Sequence, residues 1–135
     1  MFDTKFAIVL RDDLATWQKL NITAFLTSGI IAGKPDLIGE IYRDASDNAY
    51  NALSVQPIIV LGADTATLKM IHRRTLERQV RTSLYIEEMF ATGHDAANRA
   101  VFAEFAPDDA RVVGIALHEE RKLVDKLTKG AKLHG

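Results

Sequence analysis

Three short apolar runs divide the chain, and polar or charged residues follow each of them. They are Phe6–Leu10, Ile58–Leu61 and Val112–Leu117, all rich in Val, Ile and Leu. Unbroken runs of this length are typical of strands that are buried on both faces. A fourth segment, Thr82–Met89, alternates apolar and polar residues, so we expect a strand with one less buried face or one that lines a cleft.

Helical patterns fill the intervals between these runs. The first helix is predicted to run to about Ala32, with Asp13 or Thr16 as its cap and with Gly33 and Pro35 after it. The other helices are predicted in "TATLKMIHRRTLERQV" after Asp64 or Thr65, in "DAANRAVFAEF" from Thr92 or Asp95, and in "EERKLVDKL". Strands separated by helices predict one α/β domain over residues 1–135, a three-layer α/β/α sandwich with a mixed, mostly parallel sheet of about four strands.

The first helix carries apolar residues on two sides. The side expected to pack on the sheet holds Leu14, Trp17, Leu20, Ala24, Phe25 and Ile31. A second strip, Ile22, Leu26 and Ile30, lies on the far side and needs a cover. Either the segment "GEIYRDASDNAYNAL", which predicts a hairpin or a tethered loop around Tyr42 and Tyr50, or a second subunit supplies it. A homodimer is therefore one expectation.

Composition limits the possible partners and compartments. Seventeen basic and eighteen acidic residues give a net charge of −1, so no global charge directs the chain to nucleic acid or to a membrane. The absence of cysteine excludes disulfides and thiolate sites and suits a reducing cytoplasm. No signal peptide, membrane span, phosphate loop or dinucleotide-binding motif is present in the sequence, and we predict a cytoplasmic protein without a cofactor.

Several polar residues have both a structural and a functional interpretation. Asn21, on the inner side of the first helix, is either a buried amide or a site residue at the sheet edge, and Lys19 is either solvated or catalytic. His94, Asp95 and Asn98 suggest either an acid–base or metal site or a capped helix start. We favour the cap, with Asp95 as the capping residue and Asn98 facing back toward the loop, because a metal needs more ligands. We therefore predict no metal site.

A second group is basic. Arg74, Arg78 and Arg81 share one face of the second predicted helix, with Glu77 among them. Such a face could contact the phosphates of an RNA end. We favour a solvated helix surface with ion pairs.

Two segments at the ends of the chain resemble the type II peptidyl-tRNA hydrolases. "KFAIVLRDDL" is similar to the opening strand of that family with its Arg-x-Asp-Leu, and "LVDKLTKGAKL" is similar to its closing stretch. The whole chain resembles more closely an uncharacterised group of small bacterial proteins thought to share that fold, through "RDDLATWQKLN", "YRDASDNAY" and "ATGHDAANRA". This resemblance implies the hydrolase fold, a homodimer, and a cleft edge at Arg11 and Asp13.

The same resemblance suggests site residues. Lys19 matches the family's helix lysine, Glu87 or Glu88 stands for its aspartate and Thr92 for its threonine. Leu26, however, replaces the family's histidine. The resemblance therefore implies poor hydrolase activity.

Two functions remain open. One is an ester or amide hydrolase acting on peptidyl-tRNA or a small substrate, with the catalytic candidates Lys19, Asn21, Glu87 and Glu88. The other is a binding module that holds a small ligand, an RNA end or a partner in the same cleft. The binding candidates at its edge are Arg11, Asp13, Thr92 and Asn98.

Overall fold

The structure is a computed structural model that describes residues 2–135, and it shows an α/β protein. These residues form four α-helices, a five-stranded mixed sheet and a separate two-stranded hairpin. The strands are β1 Thr4–Arg11, β2 Tyr42–Arg43, β3 Ala49–Tyr50, β4 Ile58–Ala63, β5 Ser83–Ile86, β6 Val112–Glu120 and β7 Lys132–Leu133. The helices are α1 Thr16–Gly33, α2 Thr65–Glu77, α3 Asp95–Phe102 and α4 Arg121–Leu127, with 3₁₀ helices at Pro35–Leu37 and Glu87–Ala91. Within residues 2–135 no helix combines the length and the hydropathy that a bilayer span requires.

The order of strands in the large sheet is β5-β6-β1-β4-β7. The three apolar runs therefore form its interior strands β6, β1 and β4, as predicted. The expectation of a mostly parallel sheet of about four strands was wrong. Only β1 and β4 are parallel neighbours, and the other three pairings among the five strands are antiparallel. An apolar run is equally buried in either direction, so the sequence pattern carries no information on strand polarity.

Helices cover both faces of the sheet, which confirms the three layers. In β1 the side chains of Phe6, Ile8 and Leu10 face α1, whereas Ala7 and Val9 face α4 and α2 on the other side. This alternation follows from the period of two residues in a strand. All five side chains are buried, so β1 lies at the centre of the core.

The face of α1 that packs on the sheet is the reverse of the predicted one. Ile22 and Leu26 are 0% and 2% exposed, whereas Trp17, Leu20 and Phe25 are 61%, 68% and 53% exposed. The cause lies in β6, where a Cβ on Gly114 would stand only 2.7 Å from Ile22 Cγ2. Because Gly114 has no side chain, the supposed outer strip fits closely against the sheet. Leu26 is therefore not covered by the Tyr42–Tyr50 segment.

Residues Ile38–Val55, here called the arm, leave the body between the first 3₁₀ helix and β4. The predicted hairpin is present as β2 and β3, with Tyr42 opposite Tyr50. At the base of the arm an isolated bridge joins Ile38 to Ser54. No residue of the arm is buried.

Only some of the helix caps are the residues predicted from the sequence. Asp64 caps α2 by accepting a hydrogen bond from the Thr67 backbone N–H at 2.8 Å, as one of the two alternatives predicted. Neither predicted cap begins α1, because the helix starts after Ala15 and the Asp13 carboxylate binds Arg11 instead. The Gln18 side chain accepts from the Ala15 N–H and takes over the capping function.

Candidate functional site

A cleft of about 500 Å³ lies between α1, β5, the 3₁₀ helix Glu87–Ala91 and α3. We call it the α1–α3 cleft. Three of the predicted site residues, Asn21, Thr92 and Asn98, line it. It falls within the size range of small-molecule sites, about 300–1,000 Å³.

Aromatic side chains form a large part of the cleft wall. Five of the ten aromatic residues of the chain line it: Trp17, Phe25, Tyr85, Phe90 and Phe102. The ring centroids of Tyr85 and Phe90 are 5.3 Å apart, and those of Trp17 and Phe90 are 6.0 Å apart. These spacings are typical of tilted or edge-to-face aromatic pairs. The wall is therefore a connected aromatic surface.

Tyr85 links this wall to the core. It is 6% exposed and lies in β5 on the face toward α1. Burial raises the pKa of its hydroxyl, which is therefore neutral at physiological pH. Nearby, α1 approaches β5 closely because residue 29 is glycine: a Cβ there would stand 2.4 Å from Ser83 Oγ. Gly29 thus fixes how near the helix can come to the strand at this side of the cleft.

The start of α3 supplies a polar rim. His94, rather than the predicted Asp95 or Thr92, caps the helix, and its Nδ1 accepts from the Ala97 backbone N–H at 3.2 Å. The imidazole proton must then be on Nε2 when the ring is neutral. Asp95 instead forms an ion pair with Arg99 one turn along the helix.

The Asn98 amide faces back toward the preceding loop, as predicted, and contacts the Thr92 hydroxyl. That hydroxyl also lies 2.8 Å from the Met89 carbonyl, which can only accept. The structure places Asn98 Oδ1 against this hydroxyl, whose one hydrogen cannot serve both oxygens, so we assign the amide with its NH₂ group toward Thr92. The amide oxygen and the second N–H of Asn98 then remain available to a ligand. The Asn21 side chain makes no hydrogen bond within residues 2–135.

Four other predicted residues come together outside the cleft. Arg11 donates to Asp13 at 2.6 Å and to Glu87 at 3.3 Å. Burial lowers the pKa of Arg11, but the hydrogen bonds and negative charges of the two carboxylates raise it by more, so the net shift is upward. Arg111 binds one Glu88 oxygen with two nitrogens, at 2.9 and 2.6 Å. None of these residues lines the α1–α3 cleft. Both candidate carboxylates are therefore engaged by arginines.

The remaining candidates are separate from both groups. The Lys19 ammonium forms no hydrogen bond or ion pair in the part of the chain that the structure describes. The arginine face does not form, because α2 ends at Glu77 and Arg74 donates to the backbone carbonyls of Leu127 and Lys129 at 3.2 and 2.7 Å. Among residues 2–135 no three His, Asp or Glu side chains are close enough to share a metal ion.

A partly buried polar cluster at the other end of α1, in which His118 and Gln56 are buried and Lys34 is exposed, was not predicted. Lys34 donates to the backbone carbonyl of His118, and its Nζ lies 3.1 Å from His118 Nδ1. His118 Nε2 lies 3.1 Å from Gln56 Oε1. Nδ1 must accept from the ammonium, so Nε2 carries the proton and donates to Gln56. Burial and then the Lys34 charge lower the pKa of His118, which favours this neutral form.

The chain matches the family model described as "Protein of unknown function (DUF2000)" over residues 4–135, and it belongs to that family. Its fold is also that of a solved structure, the protein of unknown function Atu0240 from Agrobacterium tumefaciens strain C58. The two chains are 66% identical, each is covered over its full length, and the TM-score is 0.98. No curated protein sequence matches the chain.

Proposed function

We propose that this member of the DUF2000 family is a binding module, and that the α1–α3 cleft holds a small planar heteroaromatic molecule. One observation carries the proposal: half of the aromatic side chains of the protein surround one cleft, which the carboxamides of Asn21 and Asn98 also line. Aromatic surfaces stack with planar rings. A carboxamide offers a donor and an acceptor side by side, which suits a ring edge with the same pair.

The basic side chains near the cleft are already paired, which favours a ligand that does not need a free basic side chain. Arg99 is already paired with Asp95, and the basic side chains Arg11 and Arg111 are engaged outside the cleft. A purine base fits these conditions, since an asparagine amide can bond the adjacent nitrogen and amino group of adenine.

The contacts of the catalytic candidates support binding rather than a chemical step. A hydrolase of the alternative type needs a carboxylate, Lys19 and Asn21 within hydrogen-bond reach of one substrate position. Glu87 and Glu88 instead lie in ion pairs with Arg11 and Arg111, and the Lys19 ammonium contacts neither of them. These are the interactions of a structural ion-pair network.

The test uses Trp17, the one tryptophan of the chain, which lines the cleft. Adenine should change its fluorescence in a saturable titration, and purine, which lacks the amino group, should bind more weakly. Asn98→Ala should weaken adenine binding about tenfold, the loss of one to two hydrogen bonds. Asn51→Ala, an exposed asparagine in the arm, is the matched control and should bind normally. If adenine does not bind, or binds equally to the Asn98→Ala protein, the purine assignment fails.

The relationship to the type II peptidyl-tRNA hydrolases is a further part of this proposal. It is supported by the junction at which Arg11 ends β1 and Asp13 follows it before α1, as the resemblance implies. We expect release of amino acid from N-acylated aminoacyl-tRNA to run far below a typical enzyme rate of about 10 s⁻¹. Robust turnover that is lost in Lys19→Ala with the fold intact would instead establish the hydrolase alternative.

A further inference from the structure

The arm, residues Ile38–Val55, forms a hairpin that has no buried residue and no extended contact with the other helices and strands of residues 2–135. At its base the Gly39 N–H bonds the Leu53 carbonyl at 3.1 Å, and the Val55 N–H bonds the Leu37 carbonyl at 2.7 Å. Beyond these rungs, β2 and β3 form an extended contact with each other and with no other helix or strand of residues 2–135. An isolated two-stranded hairpin is at best marginally stable in water. The arm therefore needs a surface that the chain does not provide.

The tip of the arm is nevertheless built in detail. Asp44 accepts four hydrogen bonds, two from the backbone of Ser46 and Asn48 and two from the side chains of Asn48 and Tyr50, at 2.8–3.0 Å. These bonds, the one from the Asn48 side chain first, lower the pKa of Asp44 to about 2. Arg43 pairs with Asp47, which has a positive φ of 66°. The hairpin is thus organised before any partner arrives.

Between base and tip the two legs of the arm separate. A groove of about 400 Å³ opens there, with Ile41, Tyr42, Leu53 and Val55 around it. At the base the legs touch: a Cβ on Gly39 would stand 2.9 Å from Val55 Cγ1. The arm therefore carries apolar side chains and, beside them, an open groove of a size that accepts such side chains.

The exposed apolar surface is large. Six residues are each between 37% and 58% exposed: Ile38, Ile41, Tyr42, Tyr50, Leu53 and Val55. With the usual areas of exposed side chains these fractions amount to roughly 600 Å² per chain, summed over both faces of the hairpin. Complete burial of this area in two arms amounts to about 1,200 Å², the lower limit for a stable protein interface.

We infer that the arm is the binding surface for a second copy of this chain, with two arms packed about a twofold axis. The partner is a second copy because the arm is complementary to itself: each arm has both the apolar side chains and the groove that receives them. An isologous contact needs no other surface. The charged groups Arg43, Asp44 and Asp47 lie toward the tip and stay at the wet rim, whereas Glu40 borders the groove near the base.

Sedimentation at micromolar concentration tests this inference. The wild-type protein should sediment at twice the mass of one chain. Leu53→Glu and Ile41→Glu should each raise the dissociation constant at least a hundredfold, because a twofold axis places the unpaired carboxylate in the interface twice. Met70→Glu, which changes a half-exposed apolar residue on α2, is the matched control and should remain dimeric. Since neither arm residue belongs to the buried core, both arm variants should keep the wild-type fold by circular dichroism, and their unfolding temperature should fall only by the contribution of the lost dimer.

Hydrogen exchange locates the contact. The backbone amides of β2 and β3 should gain protection as the wild-type concentration rises, and this gain should vanish in Leu53→Glu. A wild-type protein that stays monomeric overturns the inference. So does a dimer that both arm variants leave intact, because the contact would then lie on another face. The arm does not line the α1–α3 cleft, so this outcome is independent of the proposed ligand.

Discussion

Neighbouring residues on α1 offer a direct test of which helix face packs on the sheet. Leu26 and Phe25 are adjacent in sequence, but Leu26 is buried and Phe25 is about half exposed. Truncation to alanine removes a large apolar side chain from each. Only the buried one loses contacts with β1 and β6. The sequence pattern alone predicts the opposite result.

The expected magnitudes follow from burial. Leu-to-Ala changes in cores cost about 2–5 kcal/mol, and the cost rises with the cavity that remains. Leu26 also borders the α1–α3 cleft, so the space left by truncation opens into that cleft, and we expect the lower half, about 2–3 kcal/mol. Ile22 is fully buried and does not line the cleft, so Ile22→Ala should cost about 3–5 kcal/mol. Phe25→Ala should cost less than about 1.5 kcal/mol, the scale of its ring contact with Tyr85.

Urea denaturation followed by circular dichroism measures these differences. The free energy of unfolding should fall in the order wild type, Phe25→Ala, Leu26→Ala, Ile22→Ala, with unchanged slopes in urea. A Phe25→Ala protein destabilised as much as Leu26→Ala would refute our account of α1. It would mean that the predicted face, and not the observed one, carries the packing energy.

Three more results are expected. A methyl group at Gly114 meets Ile22, so Gly114→Ala should destabilise the fold by about 1–3 kcal/mol in the same assay, and a cost near zero would show that α1 moves freely. The folded-state pKa of His118 lies below its ordinary value of 6.5, so its stabilising contribution is complete above about pH 6.5 and is lost as the pH falls further. The urea midpoint should therefore drop from about pH 7.5 to about pH 5.5, by less in His118→Gln, and an equal drop in both would contradict the assignment to this residue. Arg111→Ala removes the only partner of the Glu88 carboxylate, whose other oxygen is buried without a partner among residues 2–135, and should lower the thermal unfolding temperature. Arg78→Ala on the surface should leave that temperature nearly unchanged, and an equal change in both variants would contradict the role given to Arg111.

The sequence predicted those parts of the fold that depend on local pattern. Apolar runs identified the three interior strands, because burial on both faces leaves a direct mark on composition. Strand direction left no such mark. The packing face of α1 could not be chosen either, because both of its sides are apolar and the choice depends on Gly114, which is far away in sequence.

The candidate site was predicted mainly where one segment supplies it, with Asn21 of α1 as the exception. Thr92 and Asn98 come from one loop and helix start, and their spacing was visible in the sequence. The aromatic wall combines Trp17, Tyr85 and Phe102 from three separate elements, and no spacing rule connects them. His94 was not predicted as the cap of α3, because an imidazole is an uncommon capping group.

The short strand β7 has a consequence for the fate of the chain during synthesis. Its residues Lys132 and Leu133 pair with Gly62 and Leu61, and the His134 N–H bonds the Val60 carbonyl at 3.1 Å. These few bonds occupy the outer edge of β4, an apolar strand that would otherwise be open to any other extended chain. Since β7 leaves the ribosome long after β4, each new molecule passes through a period in which the outer edge of β4 is unpaired. Removing residues 131–135 makes this period permanent, and aggregation of nascent chains, rather than loss of the cleft, becomes the dominant defect.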